Sequence, residues 1–284
     1  MYRNRVLLLA DLSNLAYRYS AAHATLTHAG TFTGGLYGFM VSLAKVVNEL
    51  RVTRVGLCKD HPPYKRLAVL PEYKGDRSGR DPVLYANVEV TKGLIEDWCK
   101  VINVSVFSMP GYEADDWIAL HAIRSTKFND MIVAWSNDAD LFQLFSIRNF
   151  AMYRGKTGLY TREQFQKDFD GISREHLRLI LAMVGTHNAV PGIKGIGEVT
   201  AKKIVTDPAL LRKTMLVHGE VIERNLKLIE LPYSDLYDDL GLAPRAAVKP
   251  QTYDERAMLK FCTQHGITLT SAMSKAWSSL GDGE

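Results

Sequence analysis

Val6-Leu-Leu-Leu-Ala10, followed at once by Asp11, is the stretch whose reading decides the fold. An unbroken apolar run with no polar alternation describes a strand buried on both faces, as in a parallel sheet covered by helices. Arg54 to Cys58 and Met131 to Trp135 repeat the pattern, and Val104 to Phe107 is a weaker fourth strand. Between the runs, apolar residues recur at steps of three and four, in Leu36, Phe39, Met40, Leu43, Val47 and Leu50, and again in Leu94, Ile95, Trp98, Val101 and Ile102. That spacing predicts amphipathic helices. Alternating strands and helices imply an α/β layer fold with a mostly parallel sheet. After about residue 160 the strand signals fade, and helical patterns dominate at 174–184, 198–206, 208–217, 219–229 and 254–264. The expected organisation is an α/β core over 1–160 and a helical region over 161–284.

With 284 residues, 46% of them hydrophobic, the chain is long enough for a substantial core. No apolar run approaches the length of a membrane span, and the N-terminal apolar run passes into Asp11 rather than a small-residue cleavage site. Neither a membrane span nor a signal peptide is expected. Cys58, Cys99 and Cys262 lie too far apart for a zinc knuckle or a disulfide framework, which favours a reducing cytoplasm. A formal charge of +4 does not by itself imply nucleic-acid binding, so the positions of the charges matter more than their sum.

In open α/β sheets the ligand site lies beyond the carboxyl ends of the strands. Acidic residues fall there repeatedly: Asp11 after the first run, Asp60 after Cys58, and Asp138 and Asp140 after Trp135. Gly111-Tyr-Glu-Ala-Asp-Asp-Trp117 adds Glu113, Asp115 and Asp116 at the start of a helix. Each residue alone reads as a turn or a helix cap. Together in one cleft they repel unless compensated, and oxygen-preferring divalent cations, Mg²⁺ or Mn²⁺, are the natural compensation.

Basic residues concentrate in two places. From Asp60 to Asp81, three prolines and two glycines accompany Lys65, Arg66, Lys74, Arg77, Arg80, Tyr64 and Tyr73, which reads as a mobile basic excursion suited to a passing nucleic-acid strand. Val190-Pro-Gly-Ile-Lys-Gly-Ile-Gly-Glu-Val-Thr-Ala-Lys-Lys-Ile204 places Gly192, Lys194, Gly195 and Gly197 before a helix bearing Lys202 and Lys203. Glycines let a backbone approach phosphate closely, and a helix start offers unpaired N–H groups to an anion. Near the N-terminus, Tyr17, Arg18, Tyr19 and Tyr37 are candidates for stacking at a duplex junction, although aromatics at helical spacing more often belong to a core.

Asp11, Asp60, Pro71-Glu-Tyr-Lys-Gly-Asp-Arg77, Gly111-Tyr-Glu-Ala-Asp-Asp116, Asn137-Asp-Ala-Asp-Leu-Phe-Gln-Leu144 and Val190-Pro-Gly-Ile-Lys-Gly-Ile-Gly197 together resemble the flap endonuclease family, including bacteriophage 5′–3′ exonucleases and the 5′ nuclease domain of bacterial DNA polymerases. The likeness runs from about residue 5 to about 206. It implies a PIN-like α/β core, a helical arch at about 61–90, and a helix-three-turn-helix DNA clamp in the C-terminal half. By that likeness Asp11, Asp60, Glu113 and Asp115 hold a first metal, with Asp116 near it or acting through water, and Asp138 and Asp140 serve a second. Lys74 and Arg77 match positions that act on the scissile phosphate, and Arg66 matches a basic residue at the arch base. The glycine hairpin would grip duplex DNA and hold a K⁺ ion. A monomer acting on a 5′ flap, nick or free 5′ end is expected.

One departure bears on catalysis. The family reads Gly-Asp-x-x-Asp-Asn-Ile-Pro-Gly before the hairpin, whereas this chain reads Gly185-Thr-His-Asn-Ala-Val-Pro-Gly192, with Thr186 and Asn188 near the expected aspartates. Neutral groups bind Mg²⁺ less tightly than carboxylates, so weaker occupancy of the second metal site is expected. A DNA-junction binder with little catalysis is the rival that this loss suggests. A magnesium-dependent phosphatase is a second rival, disfavoured because Leu12-Ser13, not an Asp-x-Asp pattern, continues from Asp11.

Overall fold

The apolar runs form strands and the periodic stretches between them form helices. In the computed structural model, which describes residues 5–75, 81–125, 131–155, 157–186, 189–240 and 248–280, the first half runs β1 (Val6–Asp11), α1 (Leu12–Ala22), a hairpin of β2 (Thr27–His28) and β3 (Thr31–Phe32), α2 (Gly34–Leu50), β4 (Arg54–Cys58), α3 (Pro82–Val101), β5 (Ser105–Phe107), α4 (Ala114–Ser125), β6 (Met131–Trp135), β7 (Phe150–Arg154) and β8 (Gly158–Tyr160). The second half runs α5 (Arg162–Asp168), α6 (Arg174–Val184), a hairpin of β9 (Gly185–Thr186) and β10 (Val190–Pro191), α7 (Glu198–Thr206), α8 (Pro208–Ile229), α9 (Leu236–Leu240), α10 (Glu255–Gln264) and α11 (Ser271–Ser278).

β1 lies inside a six-stranded sheet of order β5-β4-β1-β6-β7-β8. Its neighbours β4 and β6 are both parallel to it, with Leu8 opposite Val55 on one side and Val133 on the other. Only β8 runs antiparallel, against β7. Successive β1 side chains enter opposite faces: Leu8 and Ala10 join Phe39, Trp98 and Trp135 under α1, α2 and α3, while Leu7 and Leu9 join Ile118, Phe145 and Phe165 under α4 and α5. Both faces are covered, hence the run without polar alternation. Chain order leaves β1 toward β4 and β5, then returns to its other side as β6. The crevice between β1 and β6 is therefore the topological switch point, where α/β sheets bind ligands.

A third apolar cluster joins α6, α7 and α8 through Ile180, Met183, Ile204, Val205, Ile222 and Ile229. Tyr64, Leu70 and Tyr73 belong to it. This corrects the reading of 60–81 as a mobile excursion: up to residue 75 it is a packed segment with a 3-10 turn at Lys65–Ala68, and its two tyrosines are buried rather than offered to nucleic acid. The expected arch at about 61–90 accordingly divides into this packed segment and the first half of α3, started by Asp81 accepting the Val83 N–H at 2.9 Å; Arg77 and Arg80 lie outside the described residues.

Other differences are of extent. Helical patterns at 208–217 and 219–229 form one helix, since the exposed pattern does not break at Gly219. β7 and α5 were not expected; Phe150-Ala-Met-Tyr-Arg154 contains no β-branched residue to announce a strand. The C-terminal helices do not join α6–α8. Trp277 of α11 meets Trp98 of α3 edge-on at 5.1 Å, Asn48 Nδ2 donates to Ala272 O at 3.0 Å, and Gln251 pairs with both the N–H and the carbonyl of Val55. The second half of the chain thus contributes to all three apolar clusters, α10 and α11 to the one under α1–α3, α5 to the one under α4, and α6–α8 to their own.

Truncating Trp277 removes a fully buried ring from the core shared by α2, α3 and α11. Trp277→Ala should lower the unfolding free energy by about 3–5 kcal/mol, measured by denaturant titration of the full chain. A loss below about 1 kcal/mol would show that α11 is only laid on the surface.

Candidate metal centre and nucleic-acid interface

Asp11 ends β1 and begins α1 at once. Its Oδ1 accepts the Asn14 N–H at 3.0 Å as the helix cap, and its Oδ2 accepts the Ser136 hydroxyl at 3.0 Å. Ser136 follows β6 directly and its Oγ accepts the Asp138 N–H at 3.1 Å, so one hydroxyl joins the two strand ends across the switch point. Asp138 caps the 3-10 stretch Ala139–Ser146 by accepting the Asp140 N–H at 2.9 Å. Asp60 Oδ1 accepts the Ala114 N–H at 2.9 Å, which fixes the start of α4 beside the end of β4.

These carboxylates share one electrostatic environment. Burial, then repulsion from Asp60 and Asp138, raises the Asp11 carboxyl to about 7. Burial and Asp138 raise Asp140 to about 7. Asp115 is pushed well above the usual carboxylate range by burial, Asp138 and Asp11, and its Oδ1 is buried without a hydrogen-bond partner. Among the described residues no three acidic, His or Cys side chains are drawn close enough to form a finished ligand cage. The pocket gathers acidic groups without closing them around a point.

Glu113 is held by basic and phenolic neighbours. Lys74 Nζ lies 2.5 Å from its Oε1, Arg66 Nη1 lies 3.2 Å from its Oε2, and the Tyr73 hydroxyl donates to Oε2 at 3.0 Å. Lys74 has a positive φ of 53° in the turn Pro71–Gly75, which directs the side chain inward over the Tyr64 and Tyr73 rings. Burial opposes its charge, but Glu113, Tyr73 and Asp60 more than offset that and hold its ammonium above the ordinary range.

Arg66 and Asp116 form a buried pair behind Glu113. Both are buried, and Arg66 donates from Nη1 and Nη2 to the two Asp116 oxygens at 2.8 Å each. Asp116 also accepts the Glu113 and Tyr233 N–H groups, at 3.0 and 2.9 Å. This corrects the sequence expectation for two residues: with its oxygens engaged by these donors, Asp116 is part of the scaffold instead of a ligand, and Arg66 is too enclosed to reach a phosphate.

The basic and glycine candidates divide as well. Gly195, with φ of +86°, and Gly197 have open space where a Cβ would stand. Gly197 begins α7 with no side-chain cap, leaving the first-turn N–H groups to the outside. Gly192 differs, because a Cβ there would fall 2.0 Å from Val184 O; its smallness serves the hairpin's own closure. Lys194 and Lys203 are exposed, whereas Lys202 pairs with Glu198 at 2.9 Å. Tyr17 and Tyr37 are exposed, Tyr19 is core, and both terminal nitrogens of Arg18 are buried beside Gly155 without a hydrogen-bond partner. Thr186 pairs with Val190 in the β9–β10 hairpin, while His187 and Asn188 lie outside the described residues. Sequence reasoning assigned no role to Ser136, Tyr73's hydroxyl or Asn225; for Ser136 the signal was its place between a strand end and the acidic pair.

An α/β domain with an acidic pocket at the switch point of a parallel sheet, beside a helical unit carrying open glycines at a helix start, is the class that this geometry defines. The chain belongs to the 5′–3′ exonuclease family: the profile described as the 5′–3′ exonuclease N-terminal, resolvase-like domain matches residues 6–170. It is 28% identical over 247 residues to a 5′–3′ exonuclease of Aquifex aeolicus, covering 84% of each chain. It is 27% identical over 264 residues to DNA polymerase I of Mycobacterium bovis, of which it spans only 29%. Among solved structures it resembles bacteriophage T5 flap endonuclease in complex with DNA and metal ions, with a TM-score of 0.68, 17% identity, and coverage of 96% of this chain and 100% of the other. That likeness establishes the fold.

Breaking the buried pair from one side leaves an uncompensated charge. Arg66→Met should destabilise the protein by about 3–5 kcal/mol, and the double variant with Asp116→Leu should recover much of the loss. Denaturant unfolding of both variants checks this; a double variant no more stable than the single one would contradict the pairing.

Proposed function

We propose that the protein is a structure-specific 5′ nuclease, acting as a 5′–3′ exonuclease and flap endonuclease that hydrolyses DNA phosphodiesters with divalent cations and leaves 5′ phosphates. The observation that carries this reading is the acidic set Asp11, Asp115 and Asp140, each shifted toward protonation by burial first and then by neighbouring carboxylates, Asp138 in all three cases, with a buried Asp115 oxygen that lacks a hydrogen-bond partner. Oxygen-only donors of this kind suit Mg²⁺ or Mn²⁺, and the T5 relative of the same fold was solved with metal ions and DNA.

Asp11, Asp60, Glu113 and Asp115 would hold one ion and Asp138 and Asp140 the other. Bound divalent ions supply an activated water and stabilise charge on phosphorus and on the leaving oxygen. Lys74, whose ammonium pairs with Glu113, would add positive charge where the transition state becomes more negative. Tyr73 keeps Glu113 oriented from the protein side. Arg77 is proposed as a second phosphate contact on the basis of its position in the family pattern. The open N-terminus of α7, with Lys194 and Lys203, grips the duplex backbone without reading bases, so substrates are selected by shape. A K⁺ ion at the hairpin and a monomeric state complete the proposal.

A second reading, a junction-binding protein with weak catalysis, is favoured by one observation: the family's acidic position is taken here by Thr186, a neutral residue already in the β9–β10 hairpin. On the nuclease reading the second ion is weakly held but is supplied at millimolar metal.

Purified protein with Mn²⁺ or Mg²⁺ should cut a 5′-flap duplex to a 5′-phosphorylated product. Asp115→Asn should abolish cutting with flap binding retained, and Lys74→Ala should lower kcat by about 10²–10³. A wild-type protein that shifts the flap in a gel but leaves it uncut establishes the junction-binding reading instead.

A further inference from the structure

α8 ends on the carbonyls of Leu228, Ile229 and Glu230, which have no acceptor role left inside the helix. Two side chains from elsewhere satisfy them. Arg66 donates from Nε to Leu228 O at 2.8 Å and from Nη2 to Glu230 O at 3.1 Å. Gln143 donates from Nε2 to Ile229 O at 3.0 Å. Each donor also reaches one of the acidic loops. Arg66 grips Asp116, which accepts the Glu113 N–H, and Gln143 Nε2 gives its other proton to Asp140 O at 3.1 Å.

Gln143 is fully buried between Leu141 and Leu144, which belong to the apolar cluster under α4 and α5. Its Oε1 is buried with no hydrogen-bond partner. At a site chosen for packing alone, an apolar side chain of the same length would avoid that unpaired oxygen. The amide therefore serves through its N–H pair, bridging Asp140 O and Ile229 O. One turn earlier on α8, Asn225 Nδ2 donates to Ala182 O at 2.7 Å, in α6 just before the β9–β10 hairpin, and to Pro191 O at 2.9 Å, in β10 itself. The last two turns of α8 thus touch the hairpin and both acidic loops.

We propose that Gln143 is a positioning residue that fixes the Asp138–Asp140 loop against the C-terminal end of α8. With Arg66 on the opposite loop, α8 sets the spacing between the two halves of the acidic pocket and ties that spacing to the hairpin beside α7. The inference rests on the metal-dependent reading above, because the loop that Gln143 holds is the one assigned to the second cation.

The test compares full-length wild type with Gln143→Met, which keeps the length and loses both donors. Three quantities are read: the Mn²⁺ concentration for half-maximal cutting of a 5′-flap duplex, the Mn²⁺ concentration for half-maximal rise in Tm without DNA, and affinity for the flap without divalent metal. Both Mn²⁺ midpoints should rise by about 10-fold, with metal-free flap affinity unchanged. Gln143→Asn, which keeps the amide but shortens its reach, should shift the midpoints in the same direction and carries the test if Gln143→Met does not fold. Wild-type cutting with unshifted Mn²⁺ midpoints in a folded variant, whatever its Tm, overturns the linkage and leaves the nuclease reading standing. A wild type that neither cuts nor responds to Mn²⁺ overturns both.

Discussion

Carboxylates at the ends of neighbouring parallel strands cannot all carry charge in a buried crevice unless positive charge is brought to them. The sheet order forces the meeting: β1 lies between β4 and β6, so whatever follows each strand shares the mouth of one switch point. Asp11, Asp115 and Asp140 respond by rising toward neutrality. The segment 64–75 supplies part of the missing charge, and that is why it is packed. Tyr64, Leu70 and Tyr73 anchor it in the cluster of α6–α8, and the anchoring delivers Lys74 to Glu113 and Arg66 to Asp116.

The two basic residues answer the same need at different depths. Arg66 is saturated, with a planar fork on Asp116 and further donors on two carbonyls, and a guanidinium so engaged is a fixture. Lys74 keeps one ion pair and remains about a quarter exposed. A compact ammonium on a flexible stem can leave a carboxylate when a stronger cation arrives. Scaffold and working charge are thus separated by the chemistry of the side chain and not by sequence distance, since the two lie in one short segment.

Sequence made the sheet core and the acidic residues legible for one physical reason. Burial on both faces writes itself as unbroken apolar runs, and strand ends are then located to within a residue, so Asp11, Asp60 and Asp138 could be placed before any coordinates. The scaffold role of Asp116 was not legible beside Asp115, because adjacent acids at a helix start look alike until one meets a guanidinium from fifty residues away. Tyr73 and Arg66 were misread for a related reason: prolines, glycines and charges describe local chain properties, while burial of 64–73 depends on α6–α8, more than a hundred residues downstream. The packing partner of the C-terminal helices was not legible, because periodicity identifies an apolar face without naming its partner, and Trp98 is identifiable as the partner of Trp277 only in three dimensions.

Gln143 and Asn225 show what such a fold adds beyond a ligand set. A crevice between strand ends has its width fixed on one side by the sheet, but the loops that follow the strands are otherwise free to spread under their own repulsion. α8 closes that freedom by presenting three carbonyls, the negative end of its dipole, to donors rooted in both loops. Repulsion between the loops then works against hydrogen bonds to a rigid helix instead of against flexible chain. The unpaired oxygen of Gln143 and the strained turn at Lys74 are local costs of that arrangement. They sit where an opposing gain is available only when the pocket is filled, which is the pattern expected of a structure shaped for binding rather than for stability alone.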